Sequence, residues 1–125
     1  MKKMLSVFVV AMMCLVGSVS AEAANWISGN SDGSRLWDAD SVYSKKNGDI
    51  FFYEKGIDTA NNVTFIFDSI ISANRGMVTY TYGRVYNANG VLVHEAPMAA
   101  PHYIDTLNNA SMYRDIIAYC ERNGR

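Results

Sequence analysis

Cysteine and proline are both scarce: the 125-residue chain has two of each. Cys14 falls in an apolar N-terminal run and Cys120 lies near the C-terminus. If the N-terminal run is removed, Cys120 is left alone and no intramolecular disulfide can form. Such a thiol either packs as a small hydrophobe or bridges to another molecule. Pro97 and Pro101 share one short stretch, so no Pro-rich linker divides the chain. There is no basic block and no acidic tail, and the formal net charge is −1, so a nucleic-acid footprint is absent. No apolar run reaches the roughly 20 residues of a membrane-spanning helix. Repeats and low-complexity segments are also missing.

What is present begins with a leader-like segment. Lys2 and Lys3 precede the apolar residues 4–16, "MLSVFVVAMMCLV", and "GSVSAEAA" follows with Ala21 and Ala23 in an A-x-A arrangement. This is the pattern of a secretory signal peptide over residues 1–23, cleaved after Ala23 or, as second choice, after Ala21. Met12 and Met13 stand where a lipid-attachment signal needs small residues, so Cys14 is not read as a lipid anchor. Residues 24–125 remain, the size of one domain with one modest core.

Along that domain, Trp26 and Ile27 begin a first strand and "RLW" (35–37) a second. Asn47-Gly48 turns the chain into "DIFFYEK" (49–55), whose near-continuous apolar residues predict a strand covered on both faces. In residues 63–72, Val63, Phe65, Phe67 and Ile71 share a face at period two. Residues 77–86 alternate again, "NANG" turns, and "VLVH" (91–94) returns as the last strand. The Pro-containing "EAPMAAPHYIDT" reads as irregular. The C-terminus is helical: Asn108, Asn109 or Ser111 caps it, Met112, Tyr113, Ile116, Ile117 and Cys120 form its apolar side, and Asn123-Gly124 stops it. The expectation is an α+β fold, an antiparallel meander with a C-terminal helix on one face.

Candidate chemistry is thin. Asp38 and Asp40 in "RLWDADSVY" are spaced like a carboxylate pair, but Tyr43 stands where an EF-hand loop needs glycine. Aspartate also caps strand ends, and that structural reading is preferred. His94 and His102 lack metal-site spacing, and no G-x-S-x-G elbow occurs in residues 24–125. Neither a catalytic residue, a metal nor a cofactor is assigned. Tyr80, Tyr82, Arg84 and Tyr86 form the candidate contact surface, since Tyr and Arg are enriched in interfaces. The alternative for them is the sheet face beneath the helix.

Trp26, "WDADSV" (37–42), "DIFFYEK", "FDSIISANRGMVTYTYGRVYNANG" (67–90) and the helix ending "IIAYC", in this order, resemble small exported bacterial proteins related to surface-adhesin protein E. The resemblance implies an antiparallel sheet with a packed helix, an exported setting (periplasm, outer surface or extracellular space) and, more distantly, adhesion. It also implies a cross-link from the helix cysteine to a middle-strand cysteine, and Ser69 stands at that strand position here. The functional expectation is a non-enzymatic cell-envelope protein acting as a surface binding or adhesion-like module. The alternative is a periplasmic binder of a small hydrophobic or haem-like ligand. An unknown protein or surface partner is expected, membrane contact only through the export signal, and self-association into a homodimer stays open. N-terminal sequencing of the exported protein is expected to start at Ala24, or at Glu22; retention of Met1 would refute the leader.

Overall fold

The structure, a computed structural model, describes residues 24–124. The expected leader lies outside the described residues. Seven strands form one antiparallel sheet: β1 (Trp26–Ser28), β2 (Arg35–Asp38), β3 (Tyr43–Ser44), β4 (Ile50–Asp58), β5 (Val63–Ser72), β6 (Met77–Tyr86) and β7 (Leu92–Tyr103). Their order is β1-β2-β4-β5-β6-β7, with β3 pairing beside β4. Helix α1 (Ala110–Asn123) follows the sheet, so the fold is α+β as the sequence implies.

The two faces of the sheet follow from register. Ile50, Phe52, Glu54 and Gly56 of β4 lie opposite Ile71, Ser69, Phe67 and Phe65 of β5, and this set faces the helix. Phe51, Tyr53, Lys55 and Ile57 point the other way, because successive strand residues alternate. The helix-side core contains Trp37, Val42, Ile50, Phe52, Ile71 and Val78, together with Met112, Tyr113, Ile116 and Cys120 of α1. The helix stripe expected from the sequence is therefore the buried one. Close approach is needed at its N-terminal turn. A Cβ on Gly29 would overlap the Met112 sulfur and sit 3.1 Å from the Met112 Cβ. Further along, the Tyr119 ring meets Trp37 edge-on at 5.3 Å. The helix ends at Gly124, whose φ of 64° is left-handed.

Two expectations need correction and a third is refined. Tyr80 does not share a face with Tyr82, Arg84 and Tyr86. Asp68 pairs with Tyr82 and Ser69 with Tyr80, leaving Thr81 as an extra residue in β6. Such a bulge reverses every side chain beyond it. The stretch read as irregular is strand: β7 runs through both prolines, with Pro97 opposite Tyr82 and Pro101 opposite Thr79. β7 is the outermost strand, where a missing N–H interrupts no inner ladder. Finally, of the three cap candidates Asn109 is the one at the N-cap position of α1, without a side-chain cap bond.

The aspartate pair is divided by its surroundings. Asp38 is buried, and its Oδ1 accepts from the backbone N–H groups of Asp40 (3.0 Å) and Asn25 (3.1 Å). Asp40 is exposed. The Ser41 hydroxyl donates to the Asp38 carbonyl (2.7 Å) and accepts from the Tyr53 N–H (2.9 Å), fastening this corner to β4. These contacts make Asp38 a cap, the role preferred from the sequence.

Ile116 is fully buried and Asp115 exposed. Ile116→Ala should cost about 2–5 kcal/mol and Asp115→Ala little, as read by urea denaturation. Ser69 is buried on the helix-facing side of β5. Ser69→Cys should cross-link to Cys120 under oxidation, detected as a mobility shift; failure to form the bridge would count against the protein E resemblance.

Candidate functional site

Beneath α1 lies a buried polar cluster that no motif announces. Alternation on β4 places Glu54 between Phe52 and Gly56 on the helix side, with its side chain fully buried. Tyr113 Oη of α1 donates to Glu54 Oε1 at 2.7 Å. Tyr80 Oη of β6 reaches Oε2 at 3.4 Å, and the two phenol oxygens lie 2.5 Å apart. Arg35 of β2 completes the set, with Nη1 2.5 Å from Oε2. Its stem crosses Gly56, where an added Cβ would come within 3.6 Å of Nε.

Electrostatics follow from this packing. Burial pushes the Glu54 carboxyl above its usual range, while the Tyr113 and Arg35 contacts pull it back. Burial opposes the charge on Arg35, but the neighbouring carboxylate overrides it and its pKa rises. Burial, then the Glu54 charge, raises both Tyr80 and Tyr113, so neither phenol is a ready proton donor at neutral pH. The cluster ties β2, β4, β6 and α1 together through charge-assisted bonds.

The opposite face carries three of the four expected contact residues. Across the strands run Tyr43, Phe51 and Ile70; Tyr53, Asp68 and Tyr82; Lys55, Ile66 and Arg84; and Ile57, Thr64 and Tyr86. Tyr43 stacks towards Phe51 at 5.1 Å, and Phe51 meets Tyr53 at 5.3 Å. Lys55 Nζ lies 4.7 Å from the Trp26 ring centroid, and the Arg84 guanidinium lies 4.7 Å from that of Tyr82. Arg84 also pairs with Asp68 at 2.8 Å, and Tyr82 Oη donates to Glu95 at 2.8 Å. Rings and stems flank the fully buried Ile66. α1 does not cover this face, and Tyr43 is 47% exposed. Tyr80, in contrast, belongs to the Glu54 cluster.

The sequence reading missed Glu54 and Arg35. The only available signal was a glutamate at an inward position of an otherwise apolar strand. His94 and His102 lie on β7 opposite Val85 and Val78, and the His102 ring sits 5.5 Å from Tyr80. Among the described residues, no group of three or more His, Cys, Asp or Glu side chains is placed to hold a metal. No protein-family model, curated protein or solved structure matches this chain.

The Glu54 shift gives a signed pH dependence. Its native pKa lies above the unfolded value, so on raising the pH the unfolded chain loses this proton first. Glu54 therefore withdraws stability as the pH climbs from about 4.3, until the native carboxyl has ionised. Asp32 and Asp58 shift downward and act in the opposite sense. The difference between wild-type and Glu54→Gln urea midpoints should isolate the Glu54 contribution, with the wild type losing ground relative to Glu54→Gln as the pH rises. Parallel profiles would contradict the assignment.

Proposed function

We propose that this protein is a non-enzymatic binding module of the cell envelope or exterior that engages a protein partner through the helix-free face of its sheet. The carrying observation is the row of half-exposed aromatics on that face, from Tyr43, Phe51 and Tyr53 to Tyr82 and Tyr86, with Arg84 among them. Tyr and Arg are side chains that dominate interface energetics. The Arg84–Asp68 pair and the ring contacts hold this surface in one arrangement, which lowers the ordering cost of association.

The reactive side chains have structural employment that supports the same reading. Asp38 caps a corner, Glu54 is bonded on both oxygens, and the Cys120 thiol is buried beneath α1. The exported setting rests on the leader pattern, and the adhesion-like reading accords with the resemblance to surface-adhesin protein E relatives.

A pull-down with the purified protein against envelope and extracellular proteins tests the proposal. Tyr82→Ser with Tyr86→Ser should reduce recovery of the captured partner at least about tenfold, a loss of roughly 1.4 kcal/mol. Glu121→Ala with Arg122→Ala, on the outer side of α1, should leave it unchanged. Equal recovery by all three proteins would refute the face assignment.

A further inference from the structure

The helix-side face is not covered along its whole length. Phe67 lies opposite Glu54, Gly56 and Phe65 follow towards the β4–β5 turn, and the rings of Phe65 and Phe67 stack in parallel, 6.0 Å apart with an interplanar angle of 3°. They line a depression of about 290 Å³ together with Arg35, Gly56, Ile57 and Asp58. On the other side of Arg35 lies a polar depression of about 310 Å³, lined by Asn30, Ser34, Leu107, Asn108 and Asn109. Arg35 borders both, and its side chain is 39% exposed although its partner Glu54 is fully buried.

We propose that this double cleft binds a small amphipathic carboxylate, with its acid group on Arg35 and its apolar chain along Phe65 and Phe67. Glu54 engages Arg35 through Nη1 and the Tyr80 hydroxyl also lies against the guanidinium, yet a fork with five N–H donors keeps donors for a further acceptor. Glu54 also fixes the fork in place, so a ligand need not order it. The polar side is walled by Asn30, Ser34, Asn108 and Asn109, whose amides and hydroxyl suit the hydrated end of such a ligand. Gly56 keeps the floor bare between Arg35 and the rings.

Charge sets the direction of binding. Asp58 stands at the apolar end, where its carboxylate accepts from Asn61 N (3.3 Å) and Nδ2 (2.8 Å). Its negative charge repels an acid group from that end and favours the Arg35 end. The chain then meets Phe65 and Phe67, burying apolar area that the fold itself leaves wet. A neutral alcohol of the same length gains the apolar contact but not the charge-assisted bond, and an amine meets the wrong charge at Arg35.

Decanoate is a suitable probe, titrated into the purified protein below its micelle-forming concentration and followed by calorimetry and amide chemical shifts. Saturable binding is expected, with shifts at Gly56, Phe65, Phe67 and Asn109. Decanol and decylamine should bind at least about tenfold more weakly, the scale of one lost charge-assisted bond. Phe65→Ser should weaken decanoate binding severalfold, as should Arg35→Lys, which keeps a cation opposite Glu54. Should Arg35→Lys fail to fold, the wild-type comparison of decanoate with decanol and decylamine decides alone. No saturable binding, equal affinity for decanol, or shifts confined to Tyr82 and Tyr86 would overturn the proposal.

Discussion

The Glu54 carboxylate is the constraint around which the rest is organised. Taking a carboxylate out of water costs several kcal/mol unless bonds replace its hydration. Here the replacements come from three other elements: Arg35 on β2, Tyr80 on β6 and Tyr113 on α1. An apolar stripe alone would allow α1 to slide or rotate among several packings of similar energy. The Tyr113 hydroxyl does not permit this, because each displaced packing leaves a buried acceptor without its donor. Met112 against Gly29 and Tyr119 against Trp37 then fix the helix at two further points.

A second organising feature is the single extra residue in β6. With Thr81 bulged, one strand delivers Tyr80 to the core and Tyr82, Arg84 and Tyr86 to the outside. The two surfaces proposed to bind are therefore on opposite sides of one sheet. Arg35 serves the helix side and Arg84 the other. Each is anchored by a carboxylate, Glu54 or Asp68, so both guanidinium groups are held in position before any partner arrives.

Much of the architecture was legible because it rests on local chemistry. Period-two alternation located β5 and β6, Asn47-Gly48 and "NANG" located turns, and the spacing of Met112, Tyr113, Ile116 and Cys120 gave the buried side of α1. What escaped depends on neighbours that a linear reading cannot supply. The bulge at Thr81 exists only relative to β5, so Tyr80 was grouped with residues now on the other face. The prolines of β7 are tolerated because no strand lies beyond it, a fact of sheet order. The partners of Glu54 lie 19, 26 and 59 residues away, so nothing local marks them as a set. Arg35 read as the start of a short strand, and its place between two depressions emerges only when β2, β5 and the approach to α1 are assembled.

The last of those separations has a consequence for the order of assembly. Strand β4 is made early and α1 last, so a chain delivered from its N-terminus presents Glu54, Phe52 and Ile50 well before Tyr113 exists to cover them. Hairpins β4–β5 and β5–β6 can form locally in that interval. The inner face of the nascent sheet stays wet, and the carboxylate stays hydrated and ionised, until the C-terminal segment emerges. Docking of α1 brings the Tyr113 hydroxyl to the charge and Met112, Ile116 and Cys120 to the apolar face together, because all four lie on one side of one helix. A nascent chain halted before residue 110 would have its hydrogen-bonded ladder but an uncovered helix-side face, a state for a holding chaperone and not for a finished protein.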